Sequence, residues 1–133
     1  RFSITMDEAL DFITSAASMG KGSEIFVPKL RAYTITDLKE AIKEIIGNTG
    51  ERKIPIRPGE KIYETLIDVN EIRNTYELGT NYVIVNPLLD EEIIKQRYPE
   101  WRKVTTEQSY SSSLVEKIPK EELKEIIKKA NLI

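Results

Sequence analysis

The chain has 133 residues and a formal net charge of −2, and it contains neither histidine nor cysteine. Its length fits one domain and excludes a complete two-domain enzyme. The missing residue types exclude Ser-His-Asp and Cys-His catalysis, zinc sites built on thiolate or imidazole, and disulfide scaffolds. The nearly neutral charge also lacks the basic excess that a nucleic-acid binder requires.

The sequence begins at Arg1 and not at Met, which suggests processing or a piece of a longer chain. Its longest apolar runs, such as residues 82–85, have the length of a strand and fall short of the roughly 20 residues that a bilayer requires. The absence of cysteine agrees with a reducing compartment. We therefore expect a cytoplasmic protein without a membrane segment.

The first half of the sequence predicts an alternation of strands and helices. Thr5 and Glu8 have the spacing of a capping box at the start of a helix that Gly20 ends. A second helix is expected to begin near Thr34 and to end at Gly47. Short strands are expected at residues 1–4, 23–27 and 53–56. This alternation predicts an α/β fold.

Both predicted helices carry an apolar stripe at helical spacing. On the first helix the stripe consists of Met6, Ala9, Leu10, Ile13, Ala16 and Ala17. On the second it consists of Leu38, Ala41, Ile42, Ile45 and Ile46. Stripes of this kind are typical of helix faces that pack on a core.

The second half of the chain is less regular. Its predicted elements are strands at residues 65–67 and 82–85, a short helix at 90–98, an extended polar segment at 103–113, and an amphipathic helix whose first turn contains Pro119. We therefore expect one domain, with a regular α/β part over residues 1–66. An irregular C-terminal extension over residues 67–133 would follow and end in a helix.

Two known patterns, one for cofactor binding and one for catalysis, are incomplete in this sequence. Gly20-Lys21-Gly22 begins like a dinucleotide fingerprint, but Ile25 takes the place of the third glycine. The segment also follows a helix and precedes a strand, which is the reverse of the context that the fingerprint needs. No tyrosine has a lysine four residues later, so the Tyr/Lys pair of short-chain dehydrogenases is missing. We predict no catalytic residue and no metal site in this chain.

A turn at residues 57–60 is the strongest candidate site. Pro58-Gly59 is typical of a type II turn, which brings the α-carbons of Arg57 and Glu60 within about 7 Å of each other. The guanidinium suits a phosphate, and the carboxylate can accept from sugar hydroxyls. Alternatively, the two charges pair with each other on the surface, and spacing alone favours this second interpretation.

Five segments, taken together in chain order, resemble the C-terminal part of the inverting UDP-N-acetylglucosamine 4,6-dehydratases. This family belongs to the polysaccharide biosynthesis branch of the extended short-chain dehydrogenases. The segments are residues 1–9, 22–29, 36–38, 56–64 and 110–112. The most specific pieces are E-I-F-V-P-K at residues 24–29 and R-P-G-E-K at residues 57–61.

The resemblance implies a small mixed α/β domain that binds a UDP-sugar. The Rossmann domain, with NAD or NADP and the catalytic residues, would lie outside this chain. This fragment alone would then bind no cofactor and be inactive. In the intact enzyme, a homo-oligomer acting in surface-polysaccharide synthesis, NAD(P) would oxidise the sugar at C4 before water leaves across C5 and C6.

The family's site residues map onto four positions of this sequence. Arginines at the positions of Arg1 and Arg57 hold the diphosphate, and an acid at the position of Glu60 binds ribose. Tyr110 is added as a further substrate-binding residue. The resemblance therefore reverses the preference stated above for Arg57 and Glu60. Whether the outcome is dehydration or 4-epimerisation stays open, as does the alternative of a stand-alone, non-catalytic binding or protein-interaction module.

Overall fold

In the computed structural model, which describes residues 1–48 and 50–130, the chain forms two compact units. Unit 1 combines residues 1–3, 31–64 and 112 onward, and unit 2 combines residues 4–30 and 65–111. The boundary predicted after residue 66 falls inside a strand of unit 2, and the predicted division of the chain stays a prediction.

Helices and short antiparallel strands alternate along the chain. The helices are α1 (Met6–Met19), α2 (Ile35–Ile46), α3 (Glu91–Arg97) and α4 (Lys120–Lys129). The strands are β1 (Ile25–Pro28), β2 (Thr65–Ile67), β3 (Thr75–Leu78), β4 (Asn81–Ile84), β5 (Arg102–Lys103) and β6 (Tyr110–Ser111). The predicted mixed α/β fold is confirmed.

Unit 2 is built on a four-stranded antiparallel sheet with the order β1-β4-β3-β5. Val83 of the central strand β4 faces Phe26 of β1 on one side and Tyr76 of β3 on the other, and its side chain is completely buried. A second sheet pairs β2 with β6, with an irregular register between Thr65 and Ile67.

An aromatic cluster fills the core on one side of unit 2. The ring of Tyr98 stacks on Trp101 with 3.7 Å between centroids and 9° between planes. The Tyr98 hydroxyl donates to Glu24, and burial together with this hydrogen bond raises the pKa of Tyr98 to about 12. Desolvation raises the pKa of Glu24, but the hydrogen bonds that its carboxylate accepts outweigh it and hold that pKa below its ordinary value.

Unit 1 has its core between α2 and α4. The buried side chains there are Ala41, Ile118, Leu123 and Ile127. The sequence signals at the ends of α2 are confirmed. The Thr34 hydroxyl accepts from the N–H of Asp37 at 3.0 Å, and Gly47 ends the helix with φ +87°.

Four strand predictions need correction. Residues 1–4 form no strand, because only Phe2 pairs, in an isolated bridge with Ala32. Residues 53–56 form no strand: the segment is irregular, and Ile54 and Ile56 are more than 60% exposed. Pro55 lacks the N–H that a ladder would use, and a β-rich composition forms no strand without a partner. The strand predicted at residues 23–27 begins at Ile25, and the one predicted at residues 82–85 runs from Asn81 to Ile84.

The capping box of α1 is confirmed, but most of its apolar stripe is exposed, and only Ala9 and Ala16 are half-buried. Met6, Leu10 and Ile13 are 74%, 55% and 61% exposed. The opposite side of the helix faces the unit, where Phe12 and Ser15 line a cavity of about 430 Å³.

Candidate functional site

The backbone of Arg1 is fixed by a β-bridge in unit 1. Phe2 pairs antiparallel with Ala32, and the N–H of Tyr33 donates to the Arg1 carbonyl at 2.7 Å. Ala32 is completely buried, and on its other side it pairs parallel with Lys117. The side chain of Arg1 therefore starts from a well-defined place in the unit.

The turn predicted at residues 57–60 is confirmed. The N–H of Glu60 donates to the carbonyl of Arg57 at 3.0 Å, and Gly59 has φ +81°. A positive φ at this position is what a type II turn requires. The turn is exposed on unit 1, and it places Glu60 beside the main chain of Arg57.

The Glu60 carboxylate lies between the two predicted phosphate-binding arginines. Its Oε1 is 3.9 Å from Nη2 of Arg1, and its Oε2 accepts from the main-chain N–H of Arg57 at 3.2 Å. The guanidinium of Arg57 forms no ion pair with any residue that the structure describes. Glu60 therefore pairs with Arg1 and with the Arg57 backbone, and the side-chain pair that spacing alone favoured does not form.

Glu64 joins this cluster, although no sequence pattern predicted a role for it. Arg1 donates from Nη1 to Glu64 Oε1 at 3.2 Å. Ser112, which is buried, forms two hydrogen bonds with the backbone of Glu64. Arg1 and Glu64 are 63 positions apart, so no local spacing could have connected them.

Tyr110 lies in unit 2 and is buried. Its hydroxyl accepts from the N–H of Leu30 and donates to the Leu30 carbonyl at 2.9 Å. Burial raises the pKa of the Tyr110 phenol above its ordinary value, although the hydrogen bond to Leu30 opposes this effect. The ring of Tyr82 meets Tyr110 edge-on, with 5.0 Å between centroids.

The Gly20–Gly22 segment does not suit a dinucleotide. The N–H groups of Lys21 and Gly22 donate to one oxygen of Glu24 at 3.0 and 2.7 Å, and the N–H of Gly20 donates to the carbonyl of Ala16. An internal carboxylate and the end of α1 thus occupy the amides that would otherwise meet a pyrophosphate.

The described part of the chain contains neither a metal-binding cluster nor a membrane-spanning helix. Residues 1–48 and 50–130 contain no group of three or more acidic side chains arranged to hold a metal ion. Across the same residues, every helix is too short or too polar to cross a bilayer.

Comparison with known proteins identifies the family. Residues 1–86 match a family described as "Polysaccharide biosynthesis protein". The chain belongs to this family. The match covers the helices α1 and α2, the strands β1 to β4 and the cluster of Arg1, Arg57, Glu60 and Glu64. It confirms the family that the sequence segments suggested.

Two curated relatives are similar to this chain over part of their length. UDP-glucose 4-epimerase of Rickettsia felis is 33% identical over 128 residues, which are 96% of this chain and 38% of the epimerase. The inverting UDP-N-acetylglucosamine 4,6-dehydratase of Campylobacter jejuni is 36% identical over 87 residues, 65% of this chain and 25% of the dehydratase. The chain therefore spans less than half the length of these relatives.

A solved structure shares the fold. The X-ray structure of Pen from Bacillus thuringiensis matches all of this chain and 39% of its own chain, with a TM-score of 0.82 and 27% sequence identity.

Proposed function

We propose that this chain is the UDP-sugar-binding region of a nucleotide-sugar 4,6-dehydratase or 4-epimerase that acts in polysaccharide biosynthesis. The observation that carries the proposal is the exposed guanidinium of Arg57, without an ionic partner in the described chain, beside a carboxylate that also contacts Arg1. The names of the relatives support a UDP-sugar as the ligand.

In this proposal the two arginines bind the diphosphate and Glu60 binds the ribose. A guanidinium can donate two parallel hydrogen bonds to phosphate oxygens, and a carboxylate accepts from a pair of hydroxyls. The hydrogen-bonded turn supports this arrangement because it holds the backbones of Arg57 and Glu60 beside each other. Tyr110 stays a proposed substrate residue, and the hydrogen bonds of its hydroxyl to Leu30 favour a supporting role over direct contact.

The redox cofactor and the catalytic residues would belong to a Rossmann domain of the same protein. Two observations support this division: internal groups occupy the amides of Gly20–Gly22, and the relatives are more than twice as long as the matched region. The exposed stripe of Met6, Leu10 and Ile13 on α1 is the surface that we propose for the contact with that domain. This chain alone would bind the UDP-sugar without turning it over.

Isothermal titration calorimetry with UDP and UDP-N-acetylglucosamine tests the proposal. Because hydrogen bonds to charged groups contribute about 1.5 to 3 kcal/mol, we expect Arg57→Ala to weaken binding by roughly 10- to 100-fold. The matched control is Arg52→Ala, which removes another exposed arginine of the same segment and should leave the affinity unchanged. Equal losses in both variants would indicate a general charge effect, and absence of binding by the folded parent chain would contradict the proposed site.

The exposed stripe on α1 also favours a second candidate, a protein-interaction module without a nucleotide site. The same titrations separate the two functions. An interaction module should bind neither nucleotide, whereas loss of affinity in Arg57→Ala alone requires a nucleotide site.

A further inference from the structure

We propose that Glu64 is a positioning residue that holds the guanidinium of Arg1 in the orientation that binds the diphosphate. This inference rests on the proposed function of Arg1. Glu64 makes the shorter of the two carboxylate contacts to this guanidinium, 3.2 Å from Oε1 to Nη1, whereas the contact from Glu60 is 3.9 Å. The longer contact exceeds hydrogen-bond distance, so Glu64 determines the orientation.

Glu64 can serve as a fixed point because its backbone is held on both sides. Its N–H donates to the hydroxyl of Ser112 at 2.9 Å, and its carbonyl accepts from the N–H of Ser112 at 2.8 Å. Ser112 is only 3% exposed. Strand β2 begins at the next residue, Thr65. The side chain of Glu64 therefore extends from a backbone that has little freedom.

Arg1 needs such a partner because, apart from the longer contact with Glu60, the described residues fix its backbone and not its side chain. Its side chain is about one quarter exposed, and it has several rotatable bonds beyond the β-bridge. Immobilising a long, flexible side chain on ligand binding reduces affinity by roughly 2- to 10-fold. A guanidinium already oriented by Glu64 avoids this loss. One hydrogen bond to Glu64 leaves its other N–H groups available to phosphate oxygens.

The charge of Glu64 acts in the opposite direction. A carboxylate beside the guanidinium also lies near a bound diphosphate and repels it. Glu64 should therefore favour binding only while Arg1 is present. Without Arg1, the repulsion remains and the benefit disappears. This reversal distinguishes positioning from a general structural contribution, which would not depend on Arg1.

A double-mutant cycle with UDP in calorimetry tests this reversal. We expect Glu64→Ala to weaken UDP binding by about 2- to 10-fold in the parent background. In the Arg1→Ala background, the same substitution should leave the affinity unchanged or increase it. Glu64→Gln keeps an oxygen that accepts from Arg1 and should fall between parent and Glu64→Ala. The control Glu125→Ala removes an exposed glutamate of α4 and should have no effect.

A second measurement needs no ligand. The order parameter of the Arg1 Nε–H group, from ¹⁵N relaxation, should fall in Glu64→Ala and not in Glu125→Ala. An unchanged order parameter overturns the positioning role, as does tighter UDP binding by Glu64→Ala in the parent background. Two other results would overturn the proposed function of Arg1, and with it this inference. They are equal UDP affinity in the parent and Arg1→Ala, and absence of UDP binding by the folded parent.

Discussion

Replacing Tyr110 with phenylalanine tests whether its hydroxyl supports the fold. The hydroxyl joins both polar groups of one backbone position, accepting from the N–H of Leu30 and donating to its carbonyl. Phenylalanine keeps the aromatic ring and its edge-on contact with Tyr82. The substitution therefore removes both hydrogen bonds to Leu30 and keeps the packing of the ring.

The expected loss in the free energy of unfolding is about 2 kcal/mol. A typical intramolecular hydrogen bond contributes about 1 kcal/mol net, and two are removed. Leu30 is only partly buried, so water can hydrate its backbone groups in the variant, and the larger penalty of a fully buried unpaired group is not expected. With a urea dependence of about 2 kcal/mol per molar, the unfolding midpoint should fall by about 1 M.

Urea unfolding at pH 7, followed by circular dichroism, measures this change. The control is Tyr63→Phe, which removes a phenol that is 53% exposed and should change stability by less than about 0.5 kcal/mol. If Tyr110→Phe unfolds at the same urea concentration as Tyr63→Phe, the assignment of the hydroxyl to Leu30 is wrong. The hydroxyl would then be available for the proposed substrate contact.

The difference in stability between the parent and Tyr110→Phe should also depend on pH. The pKa of Tyr110 is raised in the folded chain above its ordinary value of 10, mainly by burial. The unfolded chain therefore loses this proton first, and the stabilising contribution is complete below pH 10 and is lost as pH rises through the folded pKa. Phenylalanine cannot ionise, so the difference between parent and Tyr110→Phe should narrow above pH 10. A constant or growing difference would contradict the raised pKa.

Three further substitutions test other parts of the structure. Leu123→Ala leaves a cavity in the core between α2 and α4 and should lower the free energy of unfolding in urea by about 3 kcal/mol. The control Glu125→Ala changes an exposed residue and should lower it by less than about 0.5 kcal/mol. Similar values for the two variants would mean that this core is not packed. Gly59→Ala has room for its methyl group, but alanine disfavours the φ of +81° at this position. We therefore expect the free energy of unfolding to fall by about 1 kcal/mol and UDP to bind more weakly. An unchanged melting temperature would contradict the turn. Hydrogen bonds from two lysines of α4 lower the pKa of Glu44 from 4.5 to about 2, so its stabilising contribution is present above pH 4.5 and is lost as pH falls toward 2. Thermal melts should show Glu44→Gln below the parent at pH 7 and equal to it near pH 2, and a gap of constant size would refute the assignment.

The sequence predicted those features that a few neighbouring residues decide. The Thr34 cap, the end of α2 at Gly47 and the turn at Gly59 each depend on one side chain or on one backbone angle, and all three are confirmed. The strand predicted at residues 53–56 is absent because a strand also needs a partner, which local composition does not specify.

The candidate site divides in the same way. Arg57 and Glu60 could be placed together because a single turn connects them. The contact of Arg1 with Glu64 depends on the β-bridge at Phe2 and on the hydrogen bonds of Ser112, which join distant parts of the chain. Likewise, periodicity found the apolar stripe of α1 but could not indicate that most of this stripe is exposed while Phe12 and Ser15 line the cavity of unit 2.

The order in which the chain builds unit 1 has a consequence for protein engineering. The N–H of Ser3 donates to the carbonyl of Arg31 at 3.0 Å, and the N–H of Ser112 donates to the carbonyl of Glu64 at 2.8 Å. The stretches 4–30 and 65–111 therefore each leave unit 1 and return to it between two residues that are hydrogen-bonded to each other. Unit 2 is in this sense a pair of insertions whose ends are already closed by hydrogen bonds. We therefore expect either stretch to tolerate a change in length without displacing the residues of unit 1 that it joins. Arg1, Arg57, Glu60 and Glu64 all belong to unit 1 and would keep their positions in it.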